Sequence, residues 1–299
     1  MTDTPSPAGP PPPRVPGDVP FLLLLAIIGG LYVVLIVAML AADVSFLVRQ
    51  ARPTPPGWAE SLWEHFARTL ASPAIRYAIR LSLISCTLTA ILSVWVAVPL
   101  GYLLSRYHFR GKWLLDALLD IPIVLPPLVI GLSLLILFHV PLGGKSLELY
   151  LQENLHFSVT YTIPSVVLAQ FAVACAFAVR TMRVTFDGLS PRHEQVALTL
   201  GCTRAQAFWW VVLPSARRGM VTAATLAWAR ALGEFGPILV FSGATRLRTE
   251  VLPTTVFLEL SVGNLEAAVA VSLLMVLAAV IVLVVVRVYG MDAPAMKAR

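Results

Sequence analysis

The amino-acid sequence predicts an all-α polytopic membrane protein with six transmembrane helices. Hydrophobic residues make up 58% of the 299 residues and charged residues only 13%, and the mean hydropathy is +0.82. The apolar residues are gathered in runs of about 20, the length that an α-helix needs to cross the hydrocarbon core of a bilayer. A soluble domain of this size would not need such long runs.

Six segments have the length and composition of membrane spans. The predicted spans are residues 21–42, 81–104, 121–140, 161–179, 220–241 and 267–286. The fifth span is the least regular, because the ionisable residues Arg230 and Glu234 lie inside it. Gly233, Gly236 and Pro237 interrupt the same apolar run.

The segments outside the spans complete the predicted organisation. Residues 1–20 form a Pro-rich tail, for which the composition predicts disorder. The first apolar run is longer than that of a cleaved signal peptide, so we expect it to remain as a span. Residues 43–76 are expected to form an outer loop, residues 77–290 a core with five spans, and residues 291–299 a second tail.

The outer loop contains one amphipathic segment, WAESLWEHFARTL at residues 58–70. Two arrangements fit this pattern equally well. The segment can lie on the outer membrane surface with its aromatic residues in the interface, or it can pack as a cap over the first helices.

The distribution of lysine and arginine predicts the orientation of the chain. Basic residues are more frequent in the segments that lie inside if both termini are cytoplasmic, although the outer loop is also basic. This orientation also places the segment around Glu194 on the cytoplasmic side. The basic pI, near 9.5, follows from such loops and does not indicate nucleic-acid binding.

The cysteine, histidine and glycine patterns do not predict a metal, disulfide or nucleotide site. Cys86 and Cys175 fall inside predicted spans, and the spacing of the three cysteines and five histidines does not fit metal ligation. The Gly-Lys-Ser at residues 144–146 resembles part of a phosphate loop, but His139 stands where that loop requires glycine. We therefore expect a simple turn there.

A polar segment at residues 190–219 is predicted to form two capped helices between the fourth and fifth spans. Ser190 is placed as an N-cap with Pro191 at the first helical position. Gly201 can end this helix, and residues 203–206 read as a capping box that begins the second. Pro214 is expected to limit the second helix.

This segment resembles the EAA loop of the membrane subunits of ATP-binding-cassette (ABC) importers, which has the pattern E-x-A-A-x-x-x-G followed by F-x-x-V-x-L-P. The matching residues are Glu194, Ala197, Gly201, Phe208, Val211, Leu213 and Pro214. Val196 stands where the family usually has alanine, and Arg218 stands near a usual proline. The resemblance implies that residues 191–214, within a loop of about 184–218 that includes Cys202, dock on an ATPase subunit. An ordinary cytoplasmic loop is the alternative.

Arg230 and Glu234 are four residues apart, so they share one helical face and can pair. Ionisable residues inside a membrane usually face the bundle interior or a water-filled path. Two interpretations therefore remain: the pair lines a translocation pathway or gate, or it is an internal structural ion pair. Gly233 and Gly236 permit close helix approach, and Pro237 frees a backbone carbonyl.

The third predicted span contains prolines at 122, 126 and 127, which are expected to bend or unwind it. Freed backbone groups are tolerated in a membrane only beside protein or a water cavity, which favours a pathway-lining role. Asp116 and Asp120 precede the span and follow Arg106, Arg110 and Lys112 in sequence. We interpret these carboxylates as interface residues and not as an acid–base pair.

Two further motifs resemble the molybdate, tungstate and sulfate group of these importer permeases. The first is Arg230 to Gly236 followed by Thr249, Leu252 and Pro253, and the second is the segment 114–131. The resemblance implies a pathway or gate that includes Arg230, Gly233, Glu234, Phe235, Gly236, Pro126 and Pro127.

The resemblance also implies partners and a location. The partners are two ABC ATPase subunits that hydrolyse ATP, a second permease subunit (a second copy or a paralogue), and a periplasmic or lipid-anchored binding protein. The chain itself would lie among lipids of the bacterial inner membrane, with no cofactor and no covalent chemistry. The alternatives are a permease for phosphate, iron, thiamine or polyamine, an ion-coupled secondary transporter, which would show inverted repeats, and a membrane-embedded enzyme.

Overall fold

The computed structural model describes residues 19–50, 67, 70–142 and 144–290. This part of the chain is almost entirely α-helical, so the predicted all-α class is confirmed. Two strands of two residues each, Pro141–Leu142 and Lys145–Ser146, pair antiparallel around the predicted turn. The Pro-rich tail before residue 19, most of the amphipathic segment and the tail 291–299 lie outside the described residues.

The first helix, α1, forms a unit of its own and spans Val19–Gln50. It is longer than the predicted span 21–42, so residues 43–50 are helical and not part of a loop. Its apolar side chains, from Phe21 to Met39, are exposed. A helix that is apolar on all faces is typical of a membrane span.

The second unit contains eleven helices within the described residues. They are α2 Pro73–Arg106, α3 Lys112–Val124, α4 Pro127–His139, α5 Leu147–Leu155, α6 Ile163–Asp187, α7 Pro191–Thr199, α8 Arg204–Ala207, α9 Arg217–Leu232, α10 Gly236–Phe241, α11 Leu252–Ser261 and α12 Leu265–Gly290. A π-helical turn, Phe208–Val212, and a short α-helical turn, Leu213–Ser215, connect α8 to α9.

Four of the described helices are long and apolar enough to cross a membrane: Phe21–Leu47, Pro73–Arg106, Ile163–Asp187 and Leu265–Val284. The helices α3 and α4 would add a fifth span if the bent pair counts as one. The prediction of six spans is therefore not confirmed as a count, because the third and fifth predicted spans are each divided into two helices.

The third predicted span bends by 111° between α3 and α4. Leu125 and Pro126 have extended ψ values of 141° and 132°, which end α3 before Pro127 begins α4. A proline disfavours helical geometry in the residue before it, so two adjacent prolines interrupt the helix. The predicted bend is confirmed, although Pro122 lies inside α3 without breaking it.

The helices α2, α6 and α9 pack against one another and form the centre of the second unit. Small residues on α2 allow this close packing. A Cβ atom on Gly101 would lie 2.8 Å from the Met182 Cβ and 2.9 Å from the Arg183 backbone nitrogen. The polar residues Ser82, Ser85, Thr89 and Ser93 are buried on the same helix.

A second close contact joins α4 to α10. A Cβ atom on Gly131 would lie 2.7 Å from the Pro237 Cα, and one on Gly236 would lie 2.9 Å from the Leu128 backbone nitrogen. Each glycine therefore packs against the backbone of the opposite helix. Because backbone atoms cannot move aside as a flexible side chain can, this contact requires glycine on both sides.

We predict that Gly131→Leu destabilises the protein, because the new side chain collides with the Pro237 backbone. Overpacking of this kind costs about 1–3 kcal/mol, which corresponds to a lower thermal midpoint. Thermal unfolding in detergent, followed by tryptophan fluorescence, measures the shift. Gly29→Leu in α1 is the matched control, because no atom lies within 4 Å of a Cβ atom added to Gly29. Equal midpoints for the two variants would contradict the contact.

Candidate functional site

The polar segment folds as two capped helices, and we call residues 191–215 the helical pair. The Ser190 side chain accepts a hydrogen bond from the Arg192 backbone nitrogen at 3.4 Å, with Pro191 at the start of α7. Gly201 follows α7 with φ +90°, which is a conformation that favours glycine. The Thr203 backbone nitrogen donates to Gln206 Oε1 at 2.8 Å, which completes the capping box. The predicted caps are confirmed.

The prediction that Pro214 limits the second helix is wrong. The chain continues from α8 through the π-helical turn and Leu213–Ser215 almost directly into α9. In the π-helical turn, the Leu213 backbone nitrogen donates to the Phe208 carbonyl, five residues earlier. This wider turn accommodates a residue that lacks the backbone N–H of a regular helix. Only the turn at Ala216 separates this segment from α9.

Glu194 connects the helical pair to α2. The Tyr102 hydroxyl donates a hydrogen bond of 2.6 Å to Glu194 Oε1, and Arg106 Nε lies 3.7 Å from Glu194 Oε2. The Arg106 and Glu194 side chains are only 13% and 12% exposed. Arg106 Nη2 also donates to the Leu189 carbonyl at 2.8 Å, directly before α7. We call Tyr102, Arg106 and Glu194 the Glu194 clasp.

Aromatic packing surrounds the Glu194 clasp. The Tyr102 ring lies 4.8 Å from the Phe208 ring and 5.6 Å from the Phe186 ring, measured between centroids. Ala197 and Ala207 are buried on the same side of the helical pair. Glu194, Ala197 and Phe208, three of the predicted docking residues, are therefore buried or half-buried, and Glu194 and Phe208 contact Tyr102 of the bundle.

A second polar contact links the helical pair to the end of α2. Arg204 Nη1 lies 3.5 Å from the Tyr107 hydroxyl, to which it donates a hydrogen bond. This hydrogen bond raises the pKa of the Arg204 guanidinium, which remains charged at physiological pH.

The opposite side of the helical pair is exposed and partly apolar. Leu200 is 80% exposed and Val196 is 56% exposed. Large exposed apolar side chains in a segment outside the spans indicate a surface for another protein. Of the predicted docking residues, Gly201 and Pro214 are exposed and Cys202 and Leu213 are half-buried. The sequence motif did not reveal that Val196 and Leu200 form part of this surface.

The predicted fifth span breaks where its charges lie. Arg230 Nη1 is 2.6 Å from Glu234 Oε2, so the predicted pairing is confirmed. The Glu234 side chain is only 1% exposed, and the Arg230 guanidinium lies 5.7 Å from the centroid of the Phe177 ring. Removal of one partner would leave an uncompensated buried charge, which is costly.

Gln170 supports this break, although it is not among the residues predicted from the sequence. Its Nε2 donates to the Ala231 carbonyl at 3.3 Å, and its Oε1 accepts from the Thr89 hydroxyl at 3.2 Å. Ala231 lies next to the last residue of α9, and its carbonyl also accepts a hydrogen bond from the Glu234 backbone nitrogen at 3.2 Å. The sequence did contain one signal for Gln170, because it is an amide side chain inside the apolar predicted span 161–179.

The two helix breaks meet. A Cβ atom on Gly236, at the start of α10, would lie 3.2 Å from the Pro127 Cβ at the start of α4. Phe235 packs on Phe257 of α11, with the ring centroids 5.3 Å apart. The structure thus brings Gly236 of the predicted gate residues close to Pro127, and both Pro126 and Pro127 are exposed in the bend.

The carboxylates before the third span pair with α6. Arg180 binds Asp120 and Arg183 binds Asp116, with N–O distances within hydrogen-bonding range. The two aspartates therefore pair with arginines of α6 and not with Arg106, Arg110 or Lys112, which are nearer in sequence. This arrangement agrees with the interpretation of Asp116 and Asp120 as structural and not as an acid–base pair.

The predicted motif around Thr249 forms a buried connection between α10 and α11. The Thr249 hydroxyl donates to the Gly243 carbonyl at 3.2 Å, and the Leu252 backbone nitrogen donates to Ser82 Oγ of α2 at 2.8 Å. The neighbouring Glu250 side chain is fully buried, and this burial raises the pKa of its carboxyl group.

Comparison with known families identifies this arrangement. The family described as "Binding-protein-dependent transport system inner membrane component" matches residues 97–296. The chain belongs to this family. The match covers the helical pair, the divided spans and α12, so this inner membrane component is a multi-pass permease of an ABC importer.

Curated relatives of the permease carry related names. It is 32% identical over 225 residues to the sulfate transport system permease protein CysT of Escherichia coli, which covers 75% of this chain and 80% of the relative. It is 34% identical over 221 residues to the molybdenum transport system permease protein ModB of Mycobacterium bovis, with 74% and 81% covered. It is 35% identical over 173 residues to the molybdate/tungstate permease protein WtpB of Pyrococcus abyssi, with 58% and 63% covered.

Solved structures share the fold of the permease. A chain of a bacterial alginate ABC transporter, solved in complex with an alginate pentasaccharide-bound periplasmic protein, superposes with a TM-score of 0.66 at 16% identity. The alignment covers 91% of this chain and 94% of that chain.

We predict that Tyr102→Phe loosens the helical pair without unfolding the permease. The substitution removes the hydroxyl that binds Glu194, and a hydrogen bond to a charged group contributes about 1.5–3 kcal/mol. Amide hydrogen exchange in α7 should accelerate roughly tenfold or more, because local opening becomes easier. Tyr77→Phe is the control, since Tyr77 lies on the same helix and its hydroxyl donates to the Arg248 carbonyl and not to the helical pair. Unchanged exchange in α7 would show that Tyr102 does not hold the helical pair.

Proposed function

We propose that the permease translocates an oxyanion, namely molybdate, tungstate or sulfate, across the inner membrane as part of an ATP-driven importer. The names of the relatives support this substrate class. The Glu194 clasp is the observation that carries the mechanism, because it connects an exposed partner-binding surface to a membrane-spanning helix.

Coupling begins at the exposed side of the helical pair. Each of two ATPase subunits would bind the helical pair of one permease subunit, with Gly201, Cys202, Leu213 and Pro214 at or beside the contact. Glu194, Ala197 and Phe208 act on the other side and hold the pair against α2. When ATP binding draws the ATPase subunits together, the movement reaches α2 through the Glu194 clasp and α9 through the π-helical turn.

The gate lies where the two helix breaks meet. Gly233, Phe235 and Gly236 lie at the break between α9 and α10, and Pro126 and Pro127 lie at the bend before α4. Closely packed helices of this kind exchange between discrete arrangements and do not deform continuously. The Arg230–Glu234 pair sits on the moving segment, which supports an alternating-access role for it.

The complete importer would contain further components. A second permease subunit, either a second copy or a paralogue, would form the pathway with this chain, and a periplasmic or lipid-anchored protein would deliver the anion. Both termini would be cytoplasmic, on the side of the helical pair. ATP hydrolysis would occur in the ATPase subunits.

The test is anion uptake by proteoliposomes that contain the permease, its ATPase and its binding protein. Labelled sulfate and molybdate should accumulate only with ATP on the side of the ATPase. ATP-driven uptake of another solute class without uptake of either oxyanion would overturn the substrate assignment.

Gly201→Asp should abolish this uptake while the protein remains in the membrane, because a charged side chain would enter the docking surface. The φ of Gly201 is +90°, so some backbone strain accompanies the substitution. Gly263→Asp is the matched control, since Gly263 has φ +82° and also has no atom within 4 Å of its Cβ position. Normal uptake by Gly201→Asp would remove the coupling assignment.

Glu234→Gln should change substrate-stimulated ATPase activity and uptake, because the buried side chain loses its charge but keeps its size. The two interpretations of the Arg230–Glu234 pair predict different results. A gating pair changes turnover, whereas a structural pair lowers the thermal midpoint and leaves turnover per folded molecule unchanged.

A further inference from the structure

An apolar groove runs along the outside of the helical bundle between α2, α9 and α12. It has a volume of about 610 Å³, within the range of small-molecule sites. Its main lining residues are Ile91, Val94, Met220, Val221, Ala224 and Trp228. The proposed transport mechanism does not use this groove.

A polar pocket adjoins one end of the groove. It has a volume of about 560 Å³ and is lined by Trp210, Val211, Pro214, Ser215, Arg217 and Arg218. Arg217 lines both the pocket and the groove. Within the described part of the chain, no carboxylate lies within 4.0 Å of the Arg217 or Arg218 guanidinium. The pocket therefore offers two positive charges beside an apolar channel.

The length of the groove matches one leaflet of a bilayer. Arg217 and Trp228 are eleven residues apart on α9, which corresponds to about 16 Å along a helix. The hydrocarbon core of a bilayer is about 30 Å thick, so one leaflet contributes about half of this. Trp228 Nε1 donates to the Thr87 hydroxyl at 3.4 Å, and both residues line the groove.

We propose that the groove and the pocket together bind one anionic phospholipid. The headgroup phosphate lies between the Arg217 and Arg218 guanidinium groups, and an acyl chain follows α9 towards Trp228. Basic pockets between membrane helices are suited to anionic headgroups. Guanidinium groups bind phosphate strongly because they donate several hydrogen bonds in a fixed geometry. Trp210 is placed like the aromatic residues that lie at a membrane interface.

The position of this site gives the lipid a route to the transport cycle. Pro214 and Ser215 line the headgroup pocket, and they belong to the turn that connects the helical pair to α9. A lipid that binds one arrangement of this turn better than another shifts the balance between them. This consequence rests on the proposed coupling role, whereas lipid binding itself does not.

The test measures the thermal midpoint of the delipidated full-length chain in a neutral detergent. Phosphatidylglycerol, phosphatidylcholine and inorganic sulfate are titrated separately, since a ligand of the folded state raises the midpoint with concentration. Phosphatidylglycerol should raise the midpoint in a saturable way, whereas phosphatidylcholine and sulfate should not. The first comparison tests headgroup charge, and the second separates a lipid from a free anion.

Two sets of variants test the two halves of the site. The double variant Arg217→Gln, Arg218→Gln should weaken phosphatidylglycerol binding roughly thirtyfold, because each arginine near an anionic headgroup contributes roughly fivefold. Ala224→Phe should block the groove and remove the shift with both arginines present. Arg110→Gln, which removes an exposed charge from the loop before α3, is the control and should retain the shift.

Three results would overturn the proposal. Equal shifts with phosphatidylcholine would show that the charge is irrelevant, and a shift with sulfate alone would show an anion site. If Ala224→Phe keeps the lipid shift but dissociates a dimer of the chain, a second copy covers the groove.

Discussion

One carboxylate joins the helical pair to the membrane-spanning bundle. Glu194 receives a hydrogen bond from Tyr102 and lies beside Arg106, and both residues belong to the end of α2. Because the Glu194 and Arg106 side chains are almost buried, water and salt screen their attraction less than they would at the surface. The exposed apolar side of the helical pair is useful for coupling only if its movement reaches the spans. Without this attachment, the turn into α9 would be the remaining connection between the helical pair and the bundle.

The divided spans depend on how the backbone N–H and C=O groups at a helix break find hydrogen-bond partners inside a bilayer. Irregular backbone is tolerated at membrane depth only where protein or a water cavity surrounds it. At the end of α9, the Ala231 carbonyl accepts from both the Glu234 backbone nitrogen and Gln170, and the contacts of Gly131 and Gly236 bring the second break against the first. The same glycine contacts hold the two breaks together. The third and fifth predicted spans, each divided into two helices, are therefore the part of the fold that we connect most directly with the proposed gate.

Local rules accounted for much of this structure. The caps at Ser190 and Thr203, the bend at Pro126 and the Arg230–Glu234 pair each depend on residues within four positions of one another, so the sequence was sufficient. The features that sequence reasoning missed are long-range. Gln170 binds Ala231 across 61 residues, and Asp116 binds Arg183 across 67. The prediction for Pro214 was wrong for a different reason, because a local π-helical turn accommodates the proline and the chain stays helical.

The most direct measurement is a pair of spin-label distances in the assembled importer, after replacement of the three native cysteines. Labels at Val196→Cys and Leu103→Cys report the distance between the helical pair and α2 within one chain. Labels at Val196→Cys on the two permease subunits report the distance between the helical pairs. When ATP binds, we expect a shorter distance between subunits and an unchanged distance within the chain. A changed distance within the chain, with the distance between subunits unaltered, would contradict rigid coupling through Glu194.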